Sequence, residues 1–221
     1  AQHANVDLAA NVAAACAKLN IQLVHISTDH LFDGSQPLLD EEAPLSPINN
    51  YGLSKAQAEH AVLGIYPESI VVRTNFYGFG PSWRPSFSDI ILNKLRSGCE
   101  TRLFSDVFYS PLLMHDVIRS SMALLKRGHC GVFNVVGDQR LSKYQFGLLL
   151  CEVFGLDLSL VKSIKIGDMY NLVNRPKDMS LSNVKLASAI GIDIGDAKSQ
   201  LVRLRQLEAN GFKLRLDALR I

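Results

Sequence analysis

Residues 21–29 read Ile-Gln-Leu-Val-His-Ile-Ser-Thr-Asp, and the fold class turns on this stretch. Ile21 to Ser27 is short, apolar and rich in β-branched residues, the pattern of a buried strand, so Thr28 falls at its C-terminal end. In an open α/β sheet that edge is where ligands bind. Further on, Pro47-Ile-Asn-Asn50 is turn chemistry ahead of a helical pattern that reaches about Leu63. Tyr51 and Lys55 lie four residues apart, on one face near the start of that helix.

These residue types suit one kind of chemistry. A phenol with a reference pKa of about 10 is a poor acid or base at neutral pH, but an adjacent ammonium favours the phenolate. Lys55 supplies such a charge to Tyr51. The Thr28 hydroxyl can hold a substrate oxygen while Tyr51 exchanges its proton, which is acid/base catalysis coupled to hydride movement. The competing reading of a Tyr and Lys at this spacing is a solvated helix face.

Strand and helix patterns alternate along the chain, as in a parallel sheet with flanking helices. Helices are expected over residues 5–19, 50–63, 86–97, 114–127, 143–154, 183–190 and 197–210, and strands over 21–27, 69–74, 102–104 and 132–136. Ser142 and Gln145 form a capping box with Leu141 and Phe146 as its staple. Residues 156–178 read as irregular with short strands. Phe76, Tyr77, Trp83 and Arg84 sit in a loop leaving the same sheet edge as Thr28. Their aromatic faces could meet a base or sugar, and the guanidinium a diphosphate. A surface loop pinned by its aromatics is the alternative. Arg175 could likewise reach a phosphate or pair with Asp178.

With 221 residues, 48% of them hydrophobic, the chain can bury a sizeable core. The net charge of +2 without long like-charge runs argues against a nucleic-acid partner. No stretch approaches the roughly 20 apolar residues of a membrane span, and no secretory signal opens the chain. The four cysteines lack Cys-x-x-Cys spacing, so reduced thiols in a cytoplasmic protein are expected. No metal is expected, since the six histidines form no ligand set.

His25-Ile-Ser-Thr-Asp-His-Leu-Phe-Asp-Gly34, Pro47-Ile-Asn-Asn-Tyr-Gly-Leu-Ser-Lys55 and Glu59 together resemble the active-site half of an extended short-chain dehydrogenase/reductase. The nearest resemblance is to dTDP-4-dehydrorhamnose reductase-like proteins, which act on nucleotide sugars in dTDP-rhamnose biosynthesis. Arg73-Thr-Asn-Phe-Tyr-Gly78, Phe108-Tyr-Ser-Pro111 with Asp116, Gly131-Val-Phe-Asn-Val-Val-Gly137 and Arg175-Pro-Lys-Asp178 also fit, so the likeness runs to about Gly191. It implies Thr28, Tyr51 and Lys55 as the catalytic trio, with Tyr51 the proton donor and Lys55 also on the ribose of an NAD or NADP cofactor. Ser27, Asn5 and Thr74 are further cofactor-side candidates. Phe76, Trp83, Arg84 and Arg175 are the substrate-side candidates for a nucleotide sugar, and a homodimer is an admissible assembly. The chain departs from the pattern at His30, where Tyr is usual, at Phe76, near a frequent Trp, and at Leu112, where Thr is common.

A Rossmann-like domain of this kind should open with a strand, a Gly-rich turn and a helix whose N-terminus receives the pyrophosphate. No such fingerprint precedes Thr28. Gly78 with Gly80, and Gly128 with Gly131, read as turns and helix stops. The expectation is a single extended reductase-like domain over 1–221 whose first βαβ units are missing. Residues 1–75 and 100–140 would build mainly the core sheet, and 76–99 with 141–221 a small substrate-binding lobe. The reaction expected is reduction of a 4-keto-6-deoxysugar. Nucleotide-sugar epimerisation or dehydration is the sister reading, and a catalytically silent sugar-nucleotide-binding or regulatory subunit the other.

Overall fold

Three parallel strands hold the site in the computed structural model, which describes residues 3–169 and 174–219. A π-helical turn, His3–Asp7, runs into α1 (Leu8–Leu19), followed by β1 (Val24–Ile26), α2 (Asn50–Ile65), β2 (Ile70–Arg73) and β3 (Phe76–Tyr77). Next come α3 (Phe87–Arg96), β4 (Thr101–Phe104), β5 (Phe108–Tyr109), β6 (Leu112–Leu113), α4 (Met114–Lys126), β7 (Gly131–Asn134) and β8 (Leu141–Ser142). The chain continues through α5 (Lys143–Phe154), β9 (Val161–Ile164), β10 (Asp178–Met179), α6 (Val184–Ile190), α7 (Ala197–Ala209) and α8 (Phe212–Ala218). Of the irregular stretch expected after Leu156, residues 170–173 lie outside the described residues.

The central sheet has the order β1-β2-β7, all parallel, with Val24 opposite Ile70 and Ile70 opposite Gly131. β2 is buried on both faces, which its β-branched run permits. Ile70 and Val72 join Val117, Leu124, Phe133 and Leu186 on one side, while Val71 meets Ala13, Val62 and Tyr66 on the other. The period-two alternation of β2 thus fixes a helix, sheet, helix sandwich. β1 departs from the buried strand expected at Ile21–Ser27. Only three of its residues pair, and Ile26 is 42% exposed, because β1 is the edge strand of this sheet.

A second apolar cluster lies beyond the strand ends. Tyr77, Tyr109, Phe146, Leu150 and Leu201 are its centre, packed between α3, α5 and α7. β4 pairs in parallel with β9 rather than with the central sheet. β5 lies between β10 and β8. The predicted capping box is present: the Ser142 hydroxyl accepts from the Gln145 amide at 3.0 Å, and the Gln145 side chain accepts from the Ser142 amide at 2.8 Å. Gly155 ends α5 at φ 68°, a left-handed stop that glycine adopts without steric cost. Among the described residues no helix is long and apolar enough to cross a membrane, and no cluster of side chains could hold a metal ion.

Candidate functional site

The strand ends assemble a polar corner from buried residues. The Ser27 amide donates to the Val72 carbonyl at 2.7 Å, so β1 stays in register until Thr28 turns away. Ser27, Thr28, Asp29 and, at the end of β2, Thr74 are all buried. The Thr28 hydroxyl donates to Asp29 and accepts from the His30 amide, both at 3.3 Å. Asp29 accepts from Asn75 Nδ2 at 2.6 Å. Burial pushes the Asp29 carboxyl above its ordinary range, with His30, Asn75 and Lys143 pulling the other way. Burial also lowers His30, against the pull of Asp29.

α2 is clamped against this corner by its first turn. The Asn49 side chain accepts from the Gly52 amide at 2.9 Å, a standard N-cap, and donates to the Asn174 carbonyl at 3.2 Å. A Cβ on Gly52 would stand 2.2 Å from the His30 carbonyl oxygen, so glycine alone lets helix and loop approach this closely. Tyr51 consequently meets the His30 ring edge to face, with centroids 5.7 Å apart. Tyr51 is 49% exposed, leaving it open to a ligand.

One turn on, Lys55 is half-buried and its Nζ donates to the Ile26 carbonyl at 2.7 Å, at the end of the edge strand. Burial lowers its pKa, opposed by Glu59. Another turn on, Glu59 is buried and receives the Arg73 guanidinium at 2.9 Å and 3.2 Å. Asn5 Nδ2 donates to the Ser54 hydroxyl at 2.9 Å, which ties the start of the chain to α2.

Two hollows flank the corner. One, about 250 Å³, is lined by Asn5, Val12, His25, Ile26 and Lys55. Burial, then Lys55, lowers His25 to about 4, so this imidazole is neutral at pH 7. The other is a cavity of about 340 Å³ whose walls include His30, Phe87, Arg102, Lys143, Arg175 and Met179. Its mouth continues into a shallower hollow lined by Asn49, Tyr51, Asn174, His30 and Arg175. His30 and Arg175 belong to both, so Tyr51 lies in the hollow next to the cavity. The hydroxyls of Ser27 and Thr74 are buried and have no partner among the described residues.

Thr28, Tyr51 and Lys55 therefore gather at one sheet edge, and Arg175 joins Tyr51 around a shared hollow. The alternative pairing of Arg175 with Asp178 does not occur. Asp178 instead receives Arg140 at 2.5 Å and 2.8 Å, and Arg140 stacks 3.6 Å over Phe108. Phe76, Trp83 and Arg84 are exposed, Trp83 at 68%, and lie outside the cavity lining. Phe87, in the first turn of α3, lines it in their place. Sequence reasoning missed Asn75, Phe87 and Lys143. A signal existed for the last: Lys143 opens α5 directly after its N-cap, where the helix dipole disfavours a cation. Such local conflicts cluster at functional sites.

Comparison with known proteins adds an independent view. The model of the RmlD substrate binding domain matches residues 1–208. A probable low-salt glycan biosynthesis reductase of Haloferax volcanii is 32% identical over 79% of this chain and 60% of its own length. Methionine adenosyltransferase 2 subunit beta of Rattus norvegicus is 27% identical over 84% of this chain and 58% of its own. The chain thus spans about three fifths of the length of these relatives. The crystal structure of a dTDP-4-dehydrorhamnose reductase from Clostridium acetobutylicum superposes with a TM-score of 0.84 at 25% identity, over 93% of this chain and 72% of that one.

Proposed function

Because the chain belongs to the family of RmlD substrate binding domains, we propose that it forms the substrate-holding and proton-transferring part of a reductase of nucleotide-linked 4-keto-6-deoxysugars. What supports the reading is that Thr28 follows the end of β1 and accepts from the His30 amide, Tyr51 packs on the His30 ring, and Lys55 holds the Ile26 carbonyl, beside a hollow that shares His30 and Arg175 with a cavity lined by Lys143 and Arg102. The reductase names of the Haloferax volcanii and Clostridium acetobutylicum proteins support it. In this reading residues 76–99 and 141–221 serve the substrate side, and 1–75 with 100–140 the sheet side.

A nicotinamide dinucleotide, NAD or NADP, supplies the hydride when bound. The residues fit such a group: the unpartnered hydroxyls of Ser27 and Thr74 and the Lys55 ammonium offer polar contacts along the strand ends. Asn5, hydrogen-bonded to Ser54, fixes the first helix against α2 and so acts on this side through position. The Thr28 hydroxyl, which accepts from the His30 amide, turns its one proton from Asp29 to the sugar's carbonyl oxygen and so holds it. Tyr51 gives that oxygen its proton as it becomes an alkoxide. Lys55, one turn away, sets a positive charge against the negative charge left on the phenol.

In the full-length protein, Tyr51→Phe keeps the ring and removes one oxygen. Turnover of a dTDP-4-keto-6-deoxysugar should fall by about 10² to 10⁴, the usual contribution of an acid/base group, with affinity for the sugar nucleotide little changed. Near-parent turnover in Tyr51→Phe would show that the proton comes from elsewhere. One relative is named as a subunit of another enzyme, which favours a second reading, a sugar-nucleotide-binding subunit without turnover. A parent protein that binds the nucleotide sugar but consumes no NAD(P)H selects it.

A further inference from the structure

The cavity beside Tyr51 contains a cation that the protein itself does not neutralise. Lys143 is sunk at the start of α5, its backbone amide donating to the Val107 carbonyl at 3.0 Å. Its ammonium sits 3.2 Å from the centre of the Tyr109 ring and 4.9 Å from that of Phe87. Among the described residues it makes no salt bridge. Asp29 acts on it through its field only, being held by Asn75 and Thr28. Arg175 and the helix dipole of α5 add charge of the same sign. Arg102, also in the lining, is engaged at its outer edge by Glu100 at 3.1 Å.

Aromatic faces offset part of the cost of a desolvated ammonium. The remainder, with no acidic side chain in the cavity wall, calls for an anion. Phe104, Val107 and Met179 make part of the wall apolar. An anion joined to a flat apolar group on one side and a polyhydroxyl group toward the Tyr51 hollow would match that mixed lining.

Resting on the reductase reading above, we propose that Lys143 is the residue that holds the diphosphate of the nucleotide-linked substrate, with Arg175 as its second cation. The base lies against the Phe104 and Val107 wall, and the sugar passes His30 to reach Tyr51. Lys143 acts as a positioning and affinity residue and exchanges no proton with the sugar.

The test is calorimetric titration of the full-length protein with dTDP and, separately, thymidine. The parent should bind dTDP better, and Lys143→Met should weaken dTDP by about 10- to 100-fold, the range of a hydrogen bond to a charged group, while thymidine changes less than about twofold. Lys143→Arg, which keeps the charge, should retain most of the affinity. It also guards against a misfolded Met variant, since both proteins are first checked for parent-like circular dichroism. Burial lowers Lys143 to about 8, so parent affinity for dTDP should fall between pH 7 and pH 9, and that of Lys143→Arg should not. Other groups facing the ammonium are Asp29, His30, Tyr109 and the two arginines, and Lys143→Arg leaves them in place. Unchanged dTDP affinity in folded Lys143→Met overturns the assignment while leaving the reductase reading intact. Equal parent affinity for dTDP and thymidine overturns it too, by removing the diphosphate site. Failure of the reductase reading appears instead as Tyr51→Phe turnover equal to the parent's.

Discussion

At the scale of single residues, two lysines carry the charge chemistry of the proposed site, and both are partly buried. Lys55 donates a hydrogen bond from its ammonium to the Ile26 carbonyl, so it positions charge at the strand end and also satisfies the edge of the sheet. Lys55→Met should therefore lower turnover and loosen cofactor binding together, measurable as a fall in kcat with a rise in the KM for NAD(P)H. Thr28→Val, which removes only the oriented hydroxyl, should lower kcat with the cofactor KM unchanged. Lys143 makes a different prediction, about stability. Its folded pKa of about 8 lies below an unfolded value of about 10.4. Below pH 8 the amine is charged in both states and the fold bears the full cost of its burial. Between about pH 8 and 10 the folded state releases a proton that the unfolded state keeps, so stability rises with pH. Lys143→Met should thus be more stable than the parent at pH 7, by an advantage that fades toward pH 10. Thermal melts of both proteins across that range check it, and a parent equal to or more stable than the variant at pH 7 would contradict the buried-charge argument.

At the scale of elements, α2 is the part whose placement matters most, because it carries Tyr51, Lys55 and Glu59 on successive turns. Its start is fixed by the Asn49 cap and the close approach at Gly52, and its middle by the buried Glu59–Arg73 pair. Glu59→Ala leaves the Arg73 guanidinium buried without its carboxylate and should destabilise the fold by about 3–5 kcal/mol, read from denaturant midpoints. Gly52→Ala would normally help a helix by about 0.5–1 kcal/mol, but here the new methyl meets a backbone carbonyl. A loss of stability with a larger loss of turnover is expected. A stabilised variant of parent activity would mean that helix and loop can separate without harm. The helix itself was legible from turn chemistry and apolar spacing, as was α5 from its capping box. Less was legible in β3, β5, β6, β8 and β10, each two residues long, because a pair of residues has no periodicity to read. α8 was missed because Gly211 reads as a helix stop, whereas here it also caps the next helix at φ 70°. The strand at Ile21–Ser27 shrank to three paired residues since apolar character signals burial without saying which side of a strand is covered.

At the scale of the whole molecule, the site divides into two halves of unequal completeness within residues 1–221. Thr28, Tyr51 and Lys55 could be proposed from sequence, because the Tyr-x-x-x-Lys spacing and a Ser-Thr-Asp at a strand end are readable without the fold. Phe87 and Asn75 could not, since they reach the corner only through the packing of α3 and the loop after β2, and Lys143 left only the local conflict of a cation at the start of α5. The cavity proposed for the sugar nucleotide is lined by residues from His30 to Met179, all among the described residues. The cofactor side offers the strand ends, the Lys55 ammonium and the hollow between α1 and β1, but no Gly-rich turn whose amides could receive a pyrophosphate precedes Thr28. Charged hydrogen bonds to phosphate are the strong ones, so their distribution decides which ligand these residues can hold. A protein of residues 1–221 should bind dTDP through Lys143 and Arg175 more tightly than it binds NADH or NADPH. Calorimetry gives the affinities. Micromolar binding of either dinucleotide by residues 1–221 would refute the division, because it would require a pyrophosphate site built from residues other than a glycine-rich turn. Weak dTDP binding together with weak dinucleotide binding would refute it from the other side, by showing that the sugar half is not self-sufficient.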